Sequence, residues 1–274
     1  MNFKDKVVWI TGASSGIGEA LAKAFAEQGA HIILSGRRIK ALEAVAAGIA
    51  TDTMLLPFET TDYDVLPAKI DKARQWKGRI DILVNNAGIS QRSLAIDTHP
   101  DVHHKIINVD LLAPIWLTQL LLPHMVEAGG GHIVGISSVA GRIGAPLRTA
   151  YSAAKHGLIG YMDALRAETE LLHNIHVTNI LPGSIKTDVS RNALTKEGER
   201  RGKSDAVIEN GLAPEECARQ ILEAVANNVP ELIIAEGPEL MMAQLRQSDP
   251  EQLFAMLAQF GAQTAEKYEA GDDD

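Results

Sequence analysis

VVWITGASSGIGEALAKAF, residues 7–25, carries the first decision about the fold. A short apolar run ends in Thr11, glycines follow at 12, 16 and 18, and an alanine-rich stretch of helical periodicity begins at once. A strand, a glycine turn and a helix in that order form the phosphate-binding start of a βαβ unit. Gly12, Gly16 and Gly18 let the chain turn sharply, let backbone approach a pyrophosphate, and let the helix start against the sheet. The first-turn N–H groups, with Ser14, Ser15 and Ile17 around them, then face the anion. The spacing is G-x-x-x-G-x-G, not the commoner G-x-G-x-x-G.

Outward from this turn, short β-branched runs alternate with longer helical patterns, the signature of a parallel sheet covered on both faces. Strands are expected at 6–10, 31–34, 53–56, 81–84, 132–136, 176–181 and 232–235. Helices are expected near 17–28, 39–49, 62–76, 100–127, 150–173 and 214–227, the last opening on Pro214 with Glu215 and Glu216 in its first turn. The expected fold is therefore α/β, a doubly wound Rossmann-type parallel sheet of seven strands. No repeat or linker divides residues 1–274, so a single domain is expected. It carries two irregular zones, a polar segment over 184–212 and a helical tail over 238–270. The acidic end, Asp272, Asp273 and Asp274, is expected to be unpacked charge.

Composition narrows the function classes. The chain has 274 residues, 26 Lys+Arg against 35 Asp+Glu, and a formal net charge of −9. That balance leaves no broad cationic face for nucleic acid or an anionic membrane. The one cysteine, Cys217, allows neither an intrachain disulfide nor a cysteine zinc cage. The apolar run near the N-terminus is too short for a signal-peptide core or a membrane span, so a soluble, unprocessed cytoplasmic enzyme is expected. His103 with His104, and His173 with His176, lack the partners of a metal site; no metal is expected. No G-x-S-x-G elbow of a hydrolase occurs at a strand-to-helix turn.

The end of the second strand bears on the dinucleotide. An acid there would accept hydrogen bonds from a free ribose 2′-hydroxyl; the sequence instead reads Ser35-Gly36-Arg37-Arg38. Two guanidiniums and no carboxylate suit a 2′-phosphate, hence NADP(H). The plainer alternative for the arginines, Arg38 especially, is a solvated helix start. Further along, Tyr151 and Lys155 stand four apart on an expected helix, one turn from each other on one face. A cation beside a phenol favours its ionised form, which suits proton exchange with the oxygen of a carbonyl or alcohol.

These motifs together resemble the short-chain dehydrogenase/reductase family in its single-domain branch. The resemblance is carried by TGASSGIG at 11–18, Asn85-Asn86-Ala87-Gly88, Ser138, Tyr151-Ser152-Ala153-Ala154-Lys155, and Pro182-Gly183 with Thr187, in the family's order across residues 5 to 235. It implies Tyr151 as general acid in reduction and base in oxidation. Lys155 would hold the nicotinamide ribose and tune Tyr151, and Ser138 would hydrogen-bond the substrate oxygen, with Ser137 turned to the opposite face. Asn86, Ala87 and Gly88 would line the cofactor, with Asn85 supporting the sheet. Pro182, Gly183, Ile185 and Thr187 would contact the nicotinamide.

Two departures stand out. Asp110 occupies the place of the family's helix asparagine, whose backbone carbonyl holds a water behind the lysine. Asp110 could serve through its carbonyl, or its carboxylate could pair with Lys155 and shift both groups. Glu59-Thr60 stands where the family has Asp followed by an aliphatic residue against adenine. More loosely, Ile89 to Ser93, Gly144 to Arg148 and the 184–212 segment resemble the dehydrogenase/reductase type 7 group, which acts on lipophilic carbonyls. Segment 184–212 falls where the family has its substrate lid. Arg92, Arg142 and Arg148 fall near the expected pocket, as ligands for an acidic substrate or as surface and subunit contacts.

The function expected is an NADPH-dependent carbonyl reductase of a small, lipophilic ketone or aldehyde. An NAD-dependent alcohol dehydrogenase and a catalytically silent dinucleotide-binding regulator are the alternatives. The resemblance further implies a homodimer or homotetramer, with the apolar run 111–122 compatible with subunit packing. The tail stripe that includes Leu240, Leu245, Leu253 and Phe260 would pack on the body or on a partner subunit.

Overall fold

The computed structural model describes residues 1–271; Asp272, Asp273 and Asp274, expected above to be unpacked charge, lie outside the described residues. Seven parallel strands form one sheet: β1 Val7–Thr11, β2 His31–Ser35, β3 Thr53–Leu55, β4 Ile82–Asn85, β5 Gly131–Ile136, β6 Ile175–Pro182 and β7 Glu231–Ile234. Their order is β3-β2-β1-β4-β5-β6-β7. The strands match the expected positions to within a residue or two. Chain direction across the sheet reverses between β1 and β4, and such a switch point opens a crevice at the strands' carboxyl ends.

Successive side chains of a strand point to opposite faces, and here both faces are covered, so the strands read as continuous apolar runs. On one face Val8, Ile10, Ile32, Leu34 and Val84 pack with Leu21 and Phe25 of α1 (Gly16–Glu27), Leu42 and Val45 of α2 (Ile39–Ala47), and Ile221 of a later helix, Pro214–Ala226. On the other, Trp9, Ile33, Leu83 and Ile133 pack with Leu66 and Ile70 of α3 (Leu66–Lys77) and with two long helices. Each fully buried Leu or Ile side chain contributes roughly 1.5–3 kcal/mol to this packing. Trp9 keeps its polar end satisfied by donating its indole N–H to Ser35 Oγ at 2.8 Å.

The long helix expected over 100–127 is divided. It forms α4 (Pro100–Ile107), a wider π turn over Asn108–Leu112, and α5 (Ala113–Glu127). A π turn adds a residue to the helical repeat, a feature common at functional sites and silent in apolar periodicity. Among the described residues, the run Pro100–Glu127 is also the one helical stretch long and apolar enough to cross a membrane. In the fold, its Leu117, Leu121 and Met125 are core residues against the sheet, while Leu112 and Trp116 are exposed.

The other long helix is α6 (Thr149–His173), which carries Leu158 and Met162 into the same layer. A single turn, α7 (Ala206–Glu209), interrupts the 184–212 segment, and α8 is the Pro214–Ala226 helix. The tail is two helices, α9 (Gly237–Ser248) and α10 (Pro250–Glu269), broken at Asp249, whose carboxylate caps α10 by accepting from Gln252 N at 3.0 Å. Ala243 and Leu253 anchor this hairpin on Val139 and Ile143 of the body. Met241, Phe254 and Phe260 of the same hairpin are exposed.

Candidate active site

At the carboxyl end of β1 the glycine turn is built as its sequence demands. Gly12 and Gly16 take left-handed φ values of 66° and 59°. A Cβ on Gly12 would stand 2.8 Å from Ala87 Cα, and one on Gly18 would stand 2.4 Å from Gly12 O. Ser15 precedes α1 in extended conformation without a side-chain cap, which leaves first-turn N–H groups free to face an anion. The Ile17 side chain packs on the core.

Neighbouring residues brace the turn. Asn86 donates its Nδ2 to Thr11 O at 2.9 Å and to Gly12 O at 3.3 Å, which holds the turn. Thr11 Oγ1 in turn accepts from the N–H groups of Asn86 at 3.0 Å and Ala87 at 3.1 Å. Thr11 was not singled out from the sequence, although a hydroxyl closing the strand before the glycine was a usable signal. Asn85 donates to Thr118 Oγ1 at 2.9 Å, tying β4 to α5.

At the end of β2, Arg38 reaches back over the turn and donates to Ser14 Oγ at 3.1 Å, Ser15 Oγ at 3.0 Å and Ser14 O at 3.3 Å. It is therefore more than a solvated helix start. Arg37 is 67% exposed and pairs with Glu59 at 3.2 Å. An exposed pair of this kind is worth about 0–1 kcal/mol, so it yields readily to a stronger anion. Thr60 donates to the other Glu59 oxygen at 3.4 Å and, with Ala87 and Val109, lines a small hollow.

The reacting groups converge between β5, the π turn and α6. Gln91, fully buried, accepts from Ala150 N at 2.8 Å and Tyr151 N at 3.4 Å, satisfying open donors at the start of α6 and thereby fixing where Tyr151 begins. Lys155 Nζ lies 5.5 Å from the centroid of the Tyr151 ring. It also donates to Ile136 O at 3.1 Å and lies 3.2 Å from Asp110 Oδ2. Lys155 and Asp110 are both buried, and Asp110 Oδ1 accepts from Ile89 N at 2.9 Å. Of the two roles open to Asp110, the structure has the carboxylate paired with Lys155. The π turn, invisible in the sequence pattern, carries that carboxylate.

Burial works against the Lys155 charge, but Asp110 and Tyr151 outweigh it and hold the ammonium above its usual range. Burial lifts the Asp110 carboxyl above its own range, against the pull of Lys155. Gly88 fits beside the pair: a Cβ there would stand 3.0 Å from Asp110 Oδ2 and 3.3 Å from Lys155 Nζ.

Ser138 donates to Pro182 O at 3.2 Å and accepts from Ala140 N at 3.1 Å. Ser137 is turned away and donates to Lys155 O at 2.9 Å, bonding β5 to α6. Past β6, Thr187 sits against the glycine turn, where a Cβ on Gly16 would stand 2.9 Å from its methyl group. Ile185 is buried. Gly183 is covered from the tail, since a Cβ there would stand 2.2 Å from Glu239 Oε2, and that carboxylate accepts from Ser184 N at 2.8 Å and Ser184 Oγ at 3.0 Å. Nothing local in the sequence pointed to Glu239.

Of the three arginines expected near the pocket, Arg142 pairs with Glu231, away from the others. Arg92 and Arg148 meet at Asp205. A separate hollow, lined by Arg74, Arg79, His124 and Met125, lies where the chain enters β4 and β5, at the opposite end of the sheet. Among the described residues no three His, Cys, Asp or Glu side chains gather at one point.

The short chain dehydrogenase family model matches residues 6–198, from the start of β1 to beyond the Pro182-Gly183 turn. This chain belongs to the short-chain dehydrogenase family. It is 37% identical over 276 residues to human dehydrogenase/reductase SDR family member 7, an alignment covering 98% of this chain and 81% of the relative. It is 38% identical over 262 residues to mouse dehydrogenase/reductase SDR family member 7B, covering 93% and 81%. Its fold is that of a short-chain dehydrogenase/reductase from Burkholderia phymatum solved in complex with NAD, with TM-score 0.81 and 20% identity over 92% of this chain and 96% of that one. Short-chain dehydrogenases are oxidoreductases that bind a nicotinamide dinucleotide and act on small molecules.

Proposed function

We propose that this short-chain dehydrogenase is an NADP(H)-dependent carbonyl reductase acting on a small ketone or aldehyde. The observation that carries the cofactor preference is the cationic rim of the glycine turn. Arg38 lies across Ser14 and Ser15 and Arg37 stands beside it, with Glu59 the acid within reach of Arg37. A 2′-phosphate would take over the exposed Arg37–Glu59 contact by charge-assisted hydrogen bonds, whereas a 2′-hydroxyl finds no acid at the end of β2. The glycine turn fits a dinucleotide because Gly12, Gly16 and Gly18 let it fold tightly against Ala87, Thr187 and itself, where Cβ atoms would collide, and so bring the uncapped start of α1 to the carboxyl end of β1.

Held at the glycine turn and the Arg37–Arg38 rim, NADPH would supply the hydride. Tyr151 then delivers the proton to the oxygen on which charge develops. Lys155 beside its ring stabilises negative charge on the phenol oxygen as the proton leaves. Ser138 turns its hydroxyl hydrogen from Pro182 O to the substrate oxygen, an exchange of one hydrogen bond for another at little cost. Its acceptor bond from Ala140 N keeps the oxygen in place during that turn. Segment 184–212 would cover the substrate, and exposed Leu112 and Trp116 on the π turn and α5 suit packing between subunits of a homodimer or homotetramer. Cytoplasmic placement completes this reading.

NADPH oxidation with a graded set of ketones, run beside Tyr151→Phe, tests the proposal. Turnover by the native chain and a loss of about a hundredfold or more in the variant are expected; a variant within tenfold of native activity overturns the proton-donor role.

A further inference from the structure

Arg148 stands at the entry to the helix that carries Tyr151, with one edge of its guanidinium uncommitted among the described residues. It is the N-cap residue of α6, outside the helical conformation at φ −134° and ψ 36°, three positions before Tyr151. Its Nη2 donates to Asp205 Oδ2 at 3.1 Å. Among the described residues, Nε and Nη1 have no hydrogen-bond partner, and 29% of the side chain is exposed.

The partner Asp205 is already engaged. Arg92, 4% exposed, donates Nε and Nη2 to both of its oxygens, and the other Arg92 donors go to Ser90 Oγ, Gln91 O and Ser190 Oγ. Arg201 Nη1 donates to Asp205 Oδ1 at 2.5 Å. Asp205 is thus a latch that holds the 184–212 segment to the body. Burial alone would raise its carboxyl, but the Arg92 hydrogen bonds and charge, with Ser190 and Arg148, hold it well below the usual range. One carboxylate cannot neutralise both Arg92 and Arg148. Burial, then repulsion from Arg92, pushes the Arg148 guanidinium down to about 10, so it stays charged at neutral pH while lacking a full counter-charge.

Resting on the reductase reading above, we propose that Arg148 is the anion-binding residue of the substrate pocket and that the substrate is a carbonyl compound bearing a carboxylate or phosphate. The fork of Nε and Nη1 would receive two oxygens of that group, while Asp205 holds the far edge of the guanidinium in place. The anion would sit at the N-terminal end of the helix that carries the proton donor, which sets the carbonyl's distance from its own charged end. In a chain of net charge −9, a cation at the reacting centre also steers an anion inward.

The test compares matched probes, levulinate with methyl levulinate and hydroxyacetone phosphate with hydroxyacetone, for the native chain, Arg148→Gln and Arg148→Lys. The native chain should favour one anion over its neutral partner by about tenfold or more in kcat/KM, mainly through KM, as a charged hydrogen bond implies. Arg148→Gln should bring that ratio near one and Arg148→Lys should keep part of it. Whichever pair shows the ratio distinguishes carboxylate from phosphate. Calorimetry of the same anions with the NADPH-saturated protein reads the site without turnover, and circular dichroism checks that each variant is folded. Neutral ketones turned over as well as anions, or an anion preference that survives in Arg148→Gln, would overturn the proposal and leave the reductase reading standing. Anion binding lost in Arg148→Gln, with no turnover of any probe, would support the site and overturn the reductase reading.

Discussion

The cofactor floor and the substrate lid meet at Tyr151 but are held together in opposite ways. On the floor, Thr11, Gly12, Asn86 and Ala87 brace one another through backbone groups, and the single buried cation Lys155 faces a single buried carboxylate, Asp110. On the lid side, the carboxylate of Asp205 is shared among guanidiniums from three separate stretches of chain, and Glu239 reaches from the tail to Ser184. The buried charges of the floor are balanced one against one. The lid side is fastened by a carboxylate that titrates. A rigid floor suits a cofactor common to a whole family, and a chargeable lid suits the selection of one substrate.

Removing one half of the floor's ion pair is the harshest way to break this contrast. Asp110→Ala leaves the Lys155 ammonium buried without its partner, which typically costs about 3–5 kcal/mol. Urea unfolding should record a fall of that size, and Asp110→Asn a smaller one. A fall below 1 kcal/mol for the alanine variant would mean the pair does not carry the floor.

The lid responds to acid instead. Asp205 is held below its usual range, so its stabilising effect is complete above the unfolded value of 3.8 and fades as pH falls below it. Proteolysis within 184–212 should therefore increase as pH drops below about 4, whereas Asp205→Asn should be cut readily at neutral pH and show little further change. Equal protection of native chain and variant at pH 7 would contradict the latch.

The same contrast explains what could be read from the sequence. The floor lies in short, ordered motifs: strand, glycine turn and helix at 7–25, Tyr151 and Lys155 one turn apart, all seven strands and their two-faced burial. Alternation and spacing are local, so they survive in one dimension. The π turn at 108–112 does not, because an added residue in an apolar helix leaves the pattern apolar, and its consequence, the Asp110–Lys155 contact, was legible only as one of two alternatives. The lid fasteners were less legible still. Arg92 and Asp205 stand 113 residues apart and Ser184 and Glu239 55 apart; a charge in a polar stretch gives no sign of which distant partner will bury it. The motif marks Asn86 and Ile17 as cofactor contacts; that the Asn86 side chain also braces the turn and that of Ile17 packs on the core is not legible from the motif.

Calorimetric titration with NADPH and NADH is the most direct test of the central claim that the Arg37–Arg38 rim recognises a 2′-phosphate. The account predicts NADPH tighter by about tenfold or more, as expected for a charge-assisted contact, with the advantage lost in Arg37→Ala combined with Arg38→Ala. NADH bound as tightly as NADPH by the native chain would contradict it.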